Sequence, residues 1–168
     1  MTALLTEAPR YARKSAAEDL ADKLTTPFSV PPIPVLEIAE THGVDVVFTD
    51  FGAHSENVAG FCDFRAEKLY VNADDGLARQ GFTIAHELGH WLLHRSIFEK
   101  DPERYPVLPR FQNPNRFDPL EQEANHFAAC LLVPSRLVRP LRGAGVSVLA
   151  DIFGVSRTMM EFRLKNVG

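Results

Sequence analysis

The chain has 168 residues, enough for one domain with a real core, and its 45% hydrophobic, 24% charged composition is that of an ordinary globular protein. A formal net charge of -4 excludes the strongly basic field that captures nucleic acid or an anionic membrane surface. Cys62 and Cys130 stand far apart with no CxxC pair, so neither a disulfide framework nor a thiolate zinc site is expected, and both read as buried free thiols of a reducing compartment.

Residues 1–10 read as a loose terminus, without the apolar segment of a signal peptide, and no apolar run is long enough to span a membrane. A cytoplasmic protein is therefore expected. From residue 11 to 24, Ala12, Ala16, Leu20 and Leu24 recur every four residues among charges and predict an amphipathic helix. TTPFSVPPIP (residues 25–34) is a stiff proline-rich connector, followed by a short helix at 35–41 that stops at His42-Gly43. The period then changes. Residues 44–48, 57–64 and 68–72 are β-branched and aromatic stretches between turn-formers, and predict three strands.

Residues 77–94 predict the longest helix, with Phe82, Ile84, Ala85, Leu88, Trp91 and Leu92 as a broad apolar face. Five prolines and little periodicity mark residues 96–119 as a long connector, a feature usually functional inside a compact domain. Helix returns at 120–132 and ends at Pro134; short helices at 148–153 and 156–165 complete the chain.

The chemistry lies in HELGH. His86 and His90 are four residues apart, so on a helix both imidazoles share a face and can reach one ion. Glu87 points toward the ion's open side, where it can act as general base and pass the proton to a leaving amine. Zinc lowers the pKa of its bound water to about 7. With six histidines and twelve glutamates in the chain, chance produces such a pattern in roughly 1.5% of cases. The opposing reading, two surface histidines, is weakened by the apolar residues around them, because buried polar rings need partners.

A third ligand is needed. His94 lies about 12 Å along a straight helix from His86, too far to share its ion. Leu93 and Ser96 occupy the places where HExxHxxGxxH needs Gly and His, which excludes that class. His94 is expected beside a ligand or at the surface. The third ligand is expected from another helix, with Glu121 and Glu123 as acidic candidates, followed by Asn125 and His126.

FTIAHELGHWLLH (residues 82–94), EQEANHFAACLLVP (121–134) and LADIFGVSRTMMEFRL (149–164) together resemble the ImmA/IrrE family of metallopeptidases. The similarity spans most of the chain in the expected order. It implies an α+β, zincin-like domain: a small three- to four-stranded sheet, an HExxH helix, a glutamate-bearing second helix and a helical C-terminal module. It also implies a zinc-dependent endopeptidase acting on a regulatory protein, often a helix-turn-helix repressor encoded nearby. The 96–119 connector is longer than the family usually carries, and LLVP replaces LLMP, an exchange of one apolar residue for another.

On the second helix Glu121 and Glu123 are about 200° apart, so only one can face the metal helix. Both lie one step from the apolar stripe of Leu120, Ala124, Phe127, Ala128 and Leu131, and periodicity alone leaves the choice close. Pairing decides it: Asn125, one turn after Glu121, can hydrogen-bond a ligand histidine, a spacing similar to the ExxxD of thermolysin-like peptidases. The expected site is Glu87 as base, His86, His90 and Glu121 around Zn2+, and Asn125 behind a histidine. Glu123 is expected solvated or salt-bridged.

The expected organisation is a peptidase domain over residues 1–134 with a helix-turn-helix-like module, residues 135–168, packed on it. Ala150, Gly154, Val155 and Ser156 fit the turn of such a motif and raise a DNA-binding alternative. Leu149, Ile152, Phe153, Met159, Phe162 and Leu164 serve equally as core, the basic residues Arg157, Arg163 and Lys165 are few, and direct nucleic-acid binding is not expected. A third reading is a catalytically silent, zinc-holding binding protein, against which the intact Glu87 argues.

Overall fold

In the computed structural model, which describes residues 8–101, 108–111 and 118–167, seven α-helices and four strands form an α+β fold. The expectations for residues 1–7, 102–107 and 112–117 lie outside the described residues. Helix α1 (Lys14–Thr25) and α2 (Val35–Thr41) flank the proline-rich connector, which Arg136 holds by donating to the carbonyls of Thr25 and Phe28. Strands β1 (Asp45–Thr49), β2 (Val58–Asp63) and β3 (Lys68–Asn72) follow. They match the three predicted strands to within a residue or two.

The sheet has four strands in the order β1-β3-β2-β4, and β4 (Leu108–Phe111) comes from the proline-rich connector. β1 runs parallel to β3, whereas β2 is antiparallel to both β3 and β4. The expectation of an irregular segment from 96 to 119 is thus corrected at its start and in its middle. Helix α3 (Leu77–Lys100) continues through residues 95–100 because Ile97 and Phe98 extend its buried stripe. β4 pairs with β2, and its Pro109 suits an edge, where a missing N–H breaks no inner ladder.

The sheet positions α3 by close contact. A Cβ on Gly60 of β2 would meet the Tyr70 carbonyl oxygen and stand 2.6 Å from the Thr83 methyl of α3, so only glycine lets strand and helix meet there. Further along α3, Phe64 packs on Phe98 at 4.6 Å between ring centroids, Trp91 donates to the His42 carbonyl at 3.1 Å, and Arg95 lies 4.0 Å over the Trp91 ring.

Helix α4 (Pro119–Leu132) begins with Pro119 after Asp118, whose carboxylate accepts from the Leu120 amide at 2.8 Å. Its expected stripe, Leu120, Ala124, Phe127, Ala128 and Leu131, is fully buried against α3 and α1. Helices α5 (Ser135–Val138), α6 (Val146–Phe153) and α7 (Arg157–Asn166) close the fold. Gly154 caps α6 in the left-handed region, and Ser156 caps α7 by accepting from the Met159 amide. Leu149, Phe153, Val155 and Met160 join the same buried cluster as α3 and α4. Ile152 and Phe162, expected in the core, are instead 36% and 54% exposed; Met160 and Arg163 take the inward positions.

Candidate active site

Burial dictates the first property of the HELGH segment. His86, Glu87 and His90 are almost wholly withdrawn from solvent on α3, so every polar atom there needs a partner. The partners come from α4, brought close because Gly89 faces it: a Cβ at 89 would stand 3.0 Å from the Phe127 ring and 3.3 Å from the Ala124 Cα. At that spacing the Glu121 carboxylate reaches both histidines, His86 Nε2 at 3.1 Å and His90 Nε2 at 3.0 Å. The two Nε2 atoms are 3.2 Å apart.

Hydrogen bonds fix which ring nitrogens carry protons. His86 Nδ1–H donates to Asn125 Oδ1 at 2.8 Å, which leaves His86 Nε2 with a lone pair. Behind His90 runs a longer chain. A carboxylate only accepts, so His94 Nε2–H donates to Glu123 Oε2 at 2.8 Å. Burial pushes His94 down to about 4, so at neutral pH the ring is neutral and its Nδ1 is an acceptor. It takes the His90 Nδ1–H at 2.8 Å, and His90 Nε2 is therefore also a bare donor atom. Arg13, just before α1, completes the chain with three bonds to Glu123: backbone N at 2.8 Å, Nε at 2.7 Å and Nη2 at 3.0 Å.

Three electron-pair donors thus converge, His86 Nε2, His90 Nε2 and a Glu121 oxygen, all within 4.8 Å of one another. Such a set could hold a cation at its centre. Ligand bonds of about 2.0–2.2 Å around tetrahedral zinc place neighbouring donor atoms ~3.3 Å apart, close to the 3.0–3.2 Å here. Titration reflects the same convergence. Burial alone would raise the Glu121 carboxyl, but the imidazoles of His86 and His90 beside it hold it far below the usual carboxylate range by favouring a shared positive charge. His90 is raised: burial opposes its charge, and Glu121, then Glu87, outweigh burial.

The geometry brings His86, His90, Glu121 and Asn125 together, and Glu87 is buried near enough for its charge to act on His90. Glu123 is salt-bridged but fully buried rather than solvated, and His94 stands behind His90 rather than at the surface. Arg13 was missed, since nothing in a residue 110 positions from Glu123 announces the contact. Beside Asn125 and Phe82 opens an apolar groove of about 770 Å³, lined also by Leu77, Ala129, Met159 and Phe162.

A helix-borne HExxH pair facing a glutamate helix, over a small mixed sheet, is the arrangement of the zincin-like metallopeptidases. The chain belongs to the ImmA/IrrE family: it matches the family described as the IrrE N-terminal-like domain (Peptidase_M78) over residues 39–165. It is 24% identical to the metallopeptidase ImmA of Bacillus subtilis (strain 168) over 139 residues, 80% of this chain and 76% of that protein. It is similar in fold to a solved Mycobacterium tuberculosis transcriptional regulator, with a TM-score of 0.63 and 16% identity over 91% of this chain. The chain spans 47% of that regulator's length. Among the described residues, no helix is long and apolar enough to cross a membrane.

Proposed function

We propose that this chain is a cytoplasmic, zinc-dependent endopeptidase that cuts a regulatory protein, in particular a helix-turn-helix repressor encoded nearby. The observation that carries the reading is the convergence of His86 Nε2, His90 Nε2 and Glu121 within ligand distance, with Glu87 adjacent. Residues 1–134 form the peptidase domain, and residues 135–168 a helical module sharing its core.

His86, His90 and Glu121 would hold the zinc, and zinc when bound supplies a Lewis acid that polarises the scissile carbonyl and acidifies water. Asn125 and His94 hold the two imidazoles in the tautomer that leaves Nε2 bare. Glu87 takes the proton of the attacking water and returns it to the leaving amine nitrogen. The apolar groove from Phe82 to Phe162 receives a hydrophobic side chain of the substrate. Zincins bind substrate as an added strand along a sheet edge. β2 and β3 are inner strands, so that role passes to an edge, β4 or β1.

Purified protein should carry zinc, and Glu87→Gln should keep it while lowering cleavage of the repressor by about 10²–10⁴-fold. Equal cleavage by wild type and Glu87→Gln ends the peptidase reading. Casein should be a poor substrate, and rapid digestion of it contradicts a dedicated target.

The α6–α7 pair keeps a DNA-binding alternative in view. Arg163 is buried, donating to the Val133 carbonyl at 2.9 Å and Ser135 Oγ at 2.9 Å, so this arginine is spent on packing. A promoter duplex shifted by the protein with steep salt dependence would favour that alternative.

A further inference from the structure

Away from HELGH, a second group of ligand-type side chains meets where α1 packs on α4. Glu18 comes from α1; His126 and Cys130 stand one turn apart on α4. His126 Nε2 is 3.6 Å from Cys130 Sγ and 3.7 Å from Glu18 Oε2, and all three ligand atoms lie within 4.8 Å of one another. These are a weak sulfur hydrogen bond and a long ion pair, both looser than a close-packed polar contact, so the three groups have room to draw in around an ion. Around a tetrahedral ion with bonds of about 2.0–2.3 Å, N···S and N···O separations are ~3.4–3.6 Å, and a few tenths of an ångström of closure suffices.

We propose that Glu18, His126 and Cys130 form a second metal site, for zinc or a similar borderline divalent ion, that clamps α1 to α4. One thiolate, one imidazole and one carboxylate make a donor set for such an ion rather than for magnesium or calcium. Access is graded: Cys130 is buried at the floor, the His126 side chain is 17% exposed and Glu18 is 41% exposed at the mouth. The spacing itself is a motif, HxxxC on one helix facing ExxxD on the other, because Asp22 follows Glu18 by one turn. The absence of a CxxC pair hid it.

Charges from every side bear on the site. Asp22 and Glu18 both add negative potential at Cys130, and Arg163 opposes them. Lys14 and Arg163 also act against a positive charge at His126. Arg163, however, is fixed by its bonds to Val133 and Ser135, and two carboxylates remain to balance the ion. Burial, first of all, pushes the Cys130 thiol up to about 11, so the ion must displace a proton, which leaves to solvent. Burial likewise lowers His126, whose nitrogen is free to ligate at neutral pH.

Cobalt separates the two centres, because HELGH offers nitrogen and oxygen alone, whereas a thiolate gives a sulfur-to-cobalt charge-transfer band in the near ultraviolet. The full-length chain should bind about two Co2+, with that band and with release of about one proton at the cysteine site. Cys130→Ser should lose the band and about one ion. His126→Gln, a change near the surface that spares the core, should do the same, and Cys62→Ala should retain both. His86→Ala should lose the other ion and keep the band; retention of both ions there would fault the peptidase reading without touching this one. A wild-type chain without the band, or a band that survives in both Cys130→Ser and His126→Gln, overturns the proposal.

Discussion

Glu123 shows how one residue can set the protons of a candidate metal centre without touching its donor atoms. Its carboxyl is held down to about 2: burial opposes ionisation, and the bonds from His94 and Arg13 overcome burial. With both oxygens engaged it fixes the proton of His94, and His94 in turn fixes that of His90. Glu121→Ala removes a donor atom and should abolish zinc retention. Glu123→Ala leaves the His94 N–H buried and unpaired, at a cost of about 1–3 kcal/mol in stability. It should retain zinc at saturation with affinity lowered about 10–100-fold. Zinc content and competition with a chelator read both. A Glu123→Ala protein without zinc beside a Glu121→Ala protein with it reverses the assignment.

At the scale of elements, the α3–α4 contact decides whether the donors meet, and Gly89 sets its distance. Alanine there would gain about 1 kcal/mol in helix propensity. Its methyl, however, meets the Phe127 ring at 3.0 Å and the Ala124 backbone at 3.3 Å, and overpacking of a tight core costs about 1–3 kcal/mol. Gly89→Ala should therefore lower stability by about 1 kcal/mol in urea unfolding, and weaken zinc by parting His90 from Glu121. A variant more stable than wild type would show that the helices have room.

The same contact separates what was legible in the sequence from what was not. HELGH and the Glu121–Asn125 pair were readable because each is a local spacing on one helix, and the apolar stripe of α4 told which way that helix faces. The last turns of α3 were readable too, since Ile97 and Phe98 continue the stripe, but Pro102 and its neighbours masked them. β4 was not: four residues, one of them Pro109, become a strand only because β2 presents an open edge. Arg13 and the Glu18–His126–Cys130 cluster depend on α1 docking against α4, a contact across more than a hundred residues that no local period encodes.

In the whole molecule, the candidate ligands come from α3 and α4, and Arg13, just before α1, backs them through Glu123 and His94, so an ion bound there would tie three helices together. Anything that binds the folded chain and not the unfolded one adds RT ln(1 + [L]/Kd) to stability, about 2.7 kcal/mol at a hundredfold excess over Kd. For a chain of this length each kcal/mol moves the melting temperature by about 2–4 °C, so saturating zinc should raise it by ~5–11 °C over the chelated protein. Measuring this in His126→Gln isolates the HELGH centre from the proposed second site. In that background Glu87→Gln should show the full rise, because the base is no ligand, whereas Glu121→Ala should show almost none. The contrast cannot come from a general loss of folding, since each variant is compared with itself, with and without zinc. An equal rise in both variants would mean that Glu121 does not hold the ion, and a rise absent from Glu87→Gln would make Glu87 a ligand rather than a base.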